Sequence, residues 1–502
     1  MKRRSSSRRR GKVILVGAGP GDPGLITVRG LEAIRQADVI LYDLLVSHEL
    51  MEEFPPGAET IFVGKEAGTH YVDQAETNAL LVQKAKPGKT VVRLKGGDPY
   101  TFGRGGEEAE ACARAGIPFE VVPGVTSGIA APAYAGIPVT HRDASSSIAL
   151  ITGHRRSDGT VRTIPAPRAD TLIYYMGVRT LPQIVKALRR EGWPANTPAA
   201  MVHRGTTPRQ LVVAGTLANI VKRATEAQIR HPALVVVGKV AAYRKRLRWF
   251  EDRPLLGRRI LIAEALPEAK ELRDELYRLG AEVTCLPSPA LSLLARTPKL
   301  DAAIKKIKQF QVLLLAHPLA VQVFFQRLAA LGLDARALAY LQIAAYGRAT
   351  QVALQEHLIR SDRLIPLEFS SAQVAPLRRR KVLLPDSAPG PHAILEALKK
   401  IRAEVSLVPA YAALPAPALT KVPVHQELIV FPTRQGVEEL LSQVILPIYV
   451  HLAALGPAAA SALRARGLTP TFSLRSLDTA STVAAILRWA KPRRRRFREA
   501  IP

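Results

Sequence analysis

Three glycine-dense segments carry the residue types best suited to hold a ligand. The first, Gly17-Ala18-Gly19-Pro20-Gly21-Asp22-Pro23-Gly24, follows the apolar run KVILV, and Gly19, Gly21 and Gly24 satisfy G-x-G-x-x-G. Asp43 stands 19 residues beyond Gly24, after the next apolar run. Glycines that let a backbone approach a pyrophosphate, followed by an acid for ribose hydroxyls, form the dinucleotide-binding fingerprint. Two details oppose that reading. Pro20 and Pro23 remove N–H donors from the loop that would cradle the phosphates. Asp22 brings a carboxylate to where two phosphate charges would sit, which is repulsive. A cationic or uncharged nucleoside suits this loop better.

The second segment runs from Arg93 through Gly96-Gly97-Asp98-Pro99-Tyr100-Thr101 to Glu108. The third, Val122-Pro123-Gly124-Val125-Thr126-Ser127-Gly128, opens a helix with Thr126 or Ser127 near its N-cap. Each alone is most simply a tight turn and a cap. Three of them, each after a strand in one domain, read as walls of one cleft. Gly-Gly-Asp offers free backbone beside a carboxylate, which suits an ammonium group or a ribose.

These loops are positioned by a repeating pattern of short apolar strand, turn and amphipathic helix from Lys12 to about Val240. KVILVG, ADVILYD, ETIFVG, KTVVRLKG and PALVVVG are strand-like, and GLEAIRQA and TNALLVQKAK have helical spacing. The alternation predicts α/β layers with largely parallel sheets, whose functional loops follow strand C-termini. Residues 155–170 are polar and proline-containing, as a link between two subdomains would be. Residues 242–257 form a basic, Trp-containing connector, and a second α/β region runs from 258 to about 490.

Length and composition set the outer bounds. The 502 residues allow about three domains' worth of chain. Apolar residues at 47% and charged residues at 23% are ordinary globular values, which excludes collagen-like, coiled-coil and wholly disordered classes. Cys112 and Cys285 belong to no metal or disulfide spacing, so no metal site is expected and a reducing cytoplasm is the default compartment. No apolar run is long enough to span a bilayer. The net charge of +29 is concentrated partly in the tails 1–11 and 491–502, which read as solvated and disordered. The remaining positive charge would steer a polyanionic small substrate as readily as a nucleic acid.

At this point the sequence resembles a known family. VGAGPGDPGLITVRG, RLKGGDPYTFGRGGEE, VVPGVTSGIAAPAYAGIPVTHR, YYMG and HRGTTPRQ, in that order over residues 12–245, resemble the uroporphyrinogen-III C-methyltransferases of the tetrapyrrole methylase superfamily. The resemblance implies a tetrapyrrole methylase fold of two α/β subdomains with S-adenosylmethionine between them. It implies two methyl transfers to uroporphyrinogen III, giving precorrin-2 for sirohaem or cobalamin, and a homodimer. It places cofactor contacts on Pro20, Gly96, Gly97, Asp98, Thr101, Thr126, Ser127, Met176 and Gly205. The family's proposed base and acid fall on Asp43 and Lys65; without the resemblance these read as a strand-end cap and a surface cation. Because that substrate carries eight carboxylates, Arg93, Lys95, Arg104, His141, Arg142 and Arg155 are candidate clamps.

Residues 258–490 resemble uroporphyrinogen-III synthase, through RRILIAEALPEAKELRDELYRLGAEVTCLP, AAYGRAT, KVLLPDSAPGPHAILEALKKIRAEVSLVPAYAAL and LAALGPAAASALRARGLTPTF. The resemblance implies two α/β lobes, one from 258–292 and 412–490, the other from 293–411, acting on hydroxymethylbilane. Thr350 and Tyr411 match positions the family places at its cleft. Departures are ILIAEA, where an Arg usually follows the first strand, LLLAHPLAV in place of a hydroxyl-rich turn, and Ala458-Ala459 in place of a Thr-containing pair. Those losses leave open a domain kept for docking rather than catalysis.

Two rivals make different demands. A Rossmann-type oxidoreductase leaves GGDPYTFGRGGEE and YYMG unexplained. The chain shows no separate NAD-dependent dehydrogenase and ferrochelatase domain of the kind some sirohaem synthases carry. A nucleic-acid-binding protein is opposed by 5% aromatic content and the absence of a basic helix breaking the α/β pattern, so nucleic acid would engage the basic tails alone.

Overall fold

The structure is a computed structural model that describes residues 11–55, 57–64, 73–153, 166–263, 267–286, 291–294, 297–367, 369–387, 392–413, 425–475 and 478–491. Lys65, Arg155 and both basic tails, except Gly11 and Lys491, lie outside these residues. The chain divides into two compact units, residues 1–257 and 258–502.

The first unit begins with β1 (Lys12–Gly17), β2 (Val39–Tyr42), β3 (Glu59–Phe62), β4 (Thr90–Lys95) and β5 (Phe119–Val122). They form one sheet of order β3-β2-β4-β1-β5 with every pairing parallel. β1 is buried along all but its first residue, as expected of a central strand covered by helices on both faces. The helices start where the sequence supplies caps: Thr27 accepts from the Gly30 N–H, and Asp73 from the Glu76 N–H.

The second subdomain contains β6 (Ile148–Thr152), β7 (Thr171–Tyr175), β8 (Pro198–His203), β9 (Leu211–Thr216) and β10 (Ala233–Val237), in the order β6-β7-β10-β8-β9. Here the expectation of largely parallel sheets fails. Only β6–β7 is parallel; β7–β10, β10–β8 and β8–β9 are antiparallel. The seven residues between β8 and β9 are too few for a crossover, so these strands form a hairpin. The helix Leu181–Arg190 buries Leu181, Ile184 and Leu188 against this sheet's core, a helical stripe at i, i+3 and i+7.

The Trp-containing connector after β10 is an integral part of the first unit, packed against the end of the helix Ser127–Tyr134. Phe250 is 1% exposed and Leu255 fully buried. The Trp249 indole donates to the Ala133 carbonyl, and the Tyr134 ring meets those of Trp249 and Phe250 at 5.1 and 4.9 Å.

The second unit has β11 (Arg259–Ile262), β12 (Glu282–Cys285), β13 (Leu291–Leu293), β14 (Val312–Leu315), β15 (Gln342–Tyr346), β16 (Arg363–Ile365), β17 (Lys381–Asp386), β18 (Glu404–Pro409), β19 (Tyr411–Ala413), β20 (Leu428–Phe431), β21 (His451–Leu455) and β22 (Phe472–Leu474). Two parallel sheets result, β12-β11-β20-β21-β22 and β16-β15-β14-β17-β18, and the chain passes between them along the antiparallel ribbon β13–β19. Each sheet has its own apolar core, so this unit is two-lobed.

Phe250→Ala is expected to destabilise the first unit by about 3 kcal/mol, through lost burial and the cavity left behind. Hydrogen exchange resolved by segment checks this: faster exchange should spread to the 127–134 helix, and protection unchanged there would show the connector to be loosely attached.

Candidate functional site

The strand order accounts for the meeting of the three glycine segments. β1 lies between β4 and β5, so the loops leaving their C-termini are neighbours. Gly19 and Gly97 exchange backbone hydrogen bonds of 3.2 and 2.7 Å, and the Ala18 N–H donates to the Lys95 carbonyl at 2.7 Å. A methyl group on Gly124 would overlap the Gly97 carbonyl oxygen, and one on Gly17 would strike the Gly124 backbone. Gly97 differs: its φ is +70°, and a Cβ there would meet nothing nearer than Ser127 N at 3.8 Å. That side of the loop is open.

Asp98 ties the second and third loops together. Its Oδ1 accepts from the Tyr100 and Thr101 N–H groups, both at 2.9 Å, and from the Thr101 hydroxyl at 3.0 Å. Its Oδ2 accepts from the Gly124 N–H at 3.1 Å. The carboxylate expected to face an ammonium or ribose is therefore largely engaged in shaping the loops, leaving the backbone of Gly96–Asp98 as the nearer ligand surface.

The second subdomain closes on these loops through two tyrosines that sequence reasoning did not single out. The Tyr175 hydroxyl, at the end of β7, accepts from the Gly128 N–H at 2.8 Å and lies 2.7 Å from the Thr126 hydroxyl. Its ring packs on Phe102 at 4.8 Å. The Tyr134 hydroxyl donates to Asp22 Oδ2 at 2.8 Å, while the Asp22 N–H donates to the Thr206 hydroxyl at 3.1 Å. Burial, first of all, and the Asp22 carboxylate hold the Tyr134 phenol protonated well above the ordinary tyrosine range. Asp22 is thus a clasp between subdomains, and its Oδ1 caps the turn at Gly24.

Thr126 is the N-cap residue of helix Ser127–Tyr134, but its hydroxyl pairs with Tyr175 rather than the helix end. Pro20, Thr101 and Ser127, one from each glycine segment, are half-buried, and Met176 follows β7 at 48% exposure. Gly205 lies against Ala131, where any side chain would collide. Five non-glycine residues in these loops have left-handed backbones: Phe102, Arg104, Met176, Arg204 and Thr206. Such strained conformations persist only where surrounding structure enforces them.

Two predicted substrate clamps are corrected. Arg93 and Lys95 are 5% and 3% exposed, and both bond Glu108 Oε1, at 3.0 and 2.9 Å. Buried cations already paired with a buried carboxylate cannot reach a substrate carboxylate. Arg104 and Arg142 are exposed, Arg104 pairing with Glu107 at 3.1 Å. His141 is half-buried in a turn, its ring tilted against that of Tyr243 at 4.3 Å, with Nδ1 accepting from the Asp143 N–H. Asp43 stands at the end of β2, its Oδ1 accepting from the Leu45 N–H and its Oδ2 3.5 Å from the Arg93 guanidinium.

In the second unit, β14, β17 and β19 bring together a cluster of which only Tyr411 was anticipated. The Tyr411 hydroxyl donates to Asp386 Oδ1 at 2.7 Å, and its ring lies 5.7 Å from that of His317. Burial pushes the Asp386 carboxyl up and the Tyr411 phenol up, the latter aided by Asp386, and pushes His317 down to about 4. Thr350 is buried in the helix after β15. Ala459 is buried in an apolar core and Ala458 is exposed, so of the expected lost hydroxyls only one falls on an accessible surface. Among the described residues, no group of three or more His, Cys, Asp or Glu side chains could hold a metal ion, and no helix is long and apolar enough to cross a membrane.

Residues 12–221 match the family of tetrapyrrole (corrin/porphyrin) methylases, and residues 270–422 match uroporphyrinogen-III synthase HemD. Over 411 residues the chain is 41% identical to the porphyrin biosynthesis protein HemD of Ruminiclostridium josui, covering 80% of this chain and 81% of that one. It is 53% identical over 236 residues to the uroporphyrinogen-III C-methyltransferase of Priestia megaterium, covering 46% of this chain and 99% of the relative. A crystal structure of the Thermus thermophilus uroporphyrin-III C-methyltransferase complexed with S-adenyl homocysteine matches 46% of this chain and 99% of its own, at 39% identity and a TM-score of 0.41.

Asp98→Ala is expected to weaken S-adenosylmethionine binding at least about tenfold, since four hydrogen bonds that shape the loops are lost; calorimetry giving wild-type affinity would show that the loops keep their shape without it. For His317 the sign follows from its lowered value. Its stabilising contribution is complete above pH 6.5 and is lost as pH falls through about 4, where the buried ring must charge. The raised Asp386 carboxyl acts in the opposite sense. Hydrogen exchange in β14 and β17 should therefore lose protection less steeply on acidification in His317→Gln than in wild type.

Proposed function

The chain belongs to the tetrapyrrole methylase family, as a uroporphyrinogen-III C-methyltransferase joined to a uroporphyrinogen-III synthase unit, and from that membership we propose that it makes uroporphyrinogen III from hydroxymethylbilane and methylates it twice to precorrin-2. The observation that carries the first half is the convergence of the three glycine loops on an open backbone surface at Gly97.

The residues around that surface fit S-adenosylmethionine. Backbone N–H and carbonyl groups of Gly96–Asp98 can pair with an amino-acid moiety or a ribose. The exposed Met176, Tyr100 and Phe102 offer apolar cover for an adenine ring. Pro20, Thr101, Thr126, Ser127 and Gly205 complete the proposed set. When bound, the cofactor supplies an electrophilic methyl carbon on a sulfonium. The protein's contribution is to hold the nucleophilic pyrrole carbon in line with it and to keep water away, which is where most of the acceleration of such a displacement arises.

Asp43 then receives the proton that leaves the methylated macrocycle. Its side chain is 23% exposed, open enough to meet substrate and close enough to Arg93 to be held in one orientation. Lys65 is proposed as its partner acid. Arg104 and Arg142, with Arg204 added for its exposure beside Gly205, are proposed carboxylate clamps. In the second unit, Tyr411 and Thr350 are 4% and 2% exposed, too buried to touch hydroxymethylbilane themselves, and we propose that they shape the wall behind its site, since its cyclisation calls for positioning and exclusion of water. We propose a homodimer working in the cytoplasm.

A coupled assay tests both halves. Purified protein given hydroxymethylbilane and S-adenosylmethionine should yield precorrin-2 faster than spontaneous closure to the type I isomer allows. Product only from ready-made uroporphyrinogen III would reduce the second unit to a scaffold. Asp43→Ala should slow methyl transfer at least about a hundredfold, as loss of a general base does, with cofactor affinity little changed; a wild-type rate would remove Asp43 from the mechanism.

A further inference from the structure

Beneath Asp43 lies a buried array of charge that the proposed chemistry does not use. Arg93 and Lys95 flank Leu94 on β4 and so point to the same face. Glu108 rises to meet them from the helix Gly105–Arg114 and is itself fully buried. One oxygen, Glu108 Oε1, accepts from Arg93 Nε at 3.0 Å, from Lys95 Nζ at 2.9 Å and from Gln74 Nε2 at 3.3 Å. The other, Oε2, is buried without a hydrogen-bond partner among the described residues. The Arg93 guanidinium is further fixed by the carbonyls of Leu94 at 3.0 Å and Leu41 at 3.5 Å. What remains of it points outward, 3.5 Å from Asp43 Oδ2.

Such an array is a poor source of stability, because desolvating the charges offsets their attraction and apolar residues of equal volume often do as well. Its geometry does something else. Glu108 draws the guanidinium by its Nε edge, so that Arg93 reaches Asp43 at the long limit of an ion pair rather than closing on it bidentately. Lys95 in turn takes up part of the Glu108 charge. Burial, first of all, and the neighbouring Arg93 lower the Lys95 ammonium from its ordinary value, while Glu108 and Asp43 oppose that shift. Cys112, on the Glu108 helix, is kept as a neutral thiol by burial and by Glu108. Among the described residues, the charged groups of this array beneath Asp43 are thus Arg93 and Lys95 from β4 and Glu108 from the helix.

We propose that Glu108, acting through Arg93 and balanced by Lys95, is a positioning residue that sets the orientation of Asp43 and the charge that surrounds it. This rests on the reading of Asp43 as the proton acceptor. Without the Glu108 charge, Arg93 is free to clamp Asp43 and two buried cations bear on it; without Lys95, the Glu108 charge is less compensated and bears on Arg93 alone.

The test is the pH dependence of methyl transfer to uroporphyrinogen III, with the full chain and saturating S-adenosylmethionine. Glu108→Gln should move the acidic limb of kcat to lower pH by about half a unit or more, and Lys95→Gln should move it to higher pH. The charge-balanced double variant should return it close to wild type. Plateau kcat of Glu108→Gln should fall at least about tenfold while the calorimetric Kd for S-adenosylmethionine changes less than about threefold. Limbs that stay in place, or that move the same way in both single variants, would overturn the proposal and leave the array as packing. Should the Gln variants not fold, Glu108→Asp keeps the charge and shortens its reach; a tenfold lower kcat at unchanged Kd is expected, and wild-type kcat would be fatal. Asp43→Asn separates the two layers. If it runs at full speed, the reading of Asp43 fails; if it is slow while the Glu108→Gln limb is unmoved, only the relay fails.

Discussion

Everything at the candidate methyl-transfer site depends on a backbone contact that only hydrogen atoms permit. Gly17, Gly97 and Gly124 end or follow three adjacent parallel strands, and at their meeting point a methyl group on Gly17 or Gly124 would overlap a neighbouring main chain. Because β1 sits between β4 and β5, the loops have no choice but to converge. Because the side chains at Gly17 and Gly124 are absent, they converge closely enough for Asp98 to accept hydrogen bonds from its own loop and from Gly124 at once. The same strand order puts β2 beside β4, which is why Asp43 comes to rest against Arg93.

Much of this was legible in the sequence, and the limits have physical causes. The glycine segments announced themselves because a composition that disfavours helix and strand interiors must serve turns or close approach. Their convergence could be suspected from three loops each following a strand. The partners of the polar side chains could not. Asp98 and Asp22 read as ligand-facing acids, yet both accept from the loops around them, since a local N–H at the right distance outcompetes an absent ligand for a carboxylate. Arg93 and Lys95 were placed on the substrate because their neutralising partner, Glu108, lies 13 residues or more ahead on a helix whose facing side a sequence does not display. The antiparallel half of the second sheet was missed because strand direction is set by connection length and by distant pairings, not by the apolar runs themselves.

The two units illustrate different uses of burial. In the first, buried charge is gathered under a half-exposed carboxylate. In the second, Asp386, Tyr411 and His317 meet at the ends of β17, β19 and β14, where burial favours the neutral form of each. A cluster of that kind suits a step that must proceed in a dry environment, and Asp386 and His317 could not be anticipated because their neighbourhood is assembled from strands far apart in sequence.

The tyrosines that join the subdomains carry a consequence of their own. Tyr175, from β7, fastens Gly128 in the first turn of the helix Ser127–Tyr134, and Tyr134, the last residue of that helix, fastens Asp22 in the first glycine segment. The two phenols therefore act in series through one helix and not side by side. An eight-residue helix is a rod about 12 Å long, and the second sheet and the first glycine segment are tied to its opposite ends.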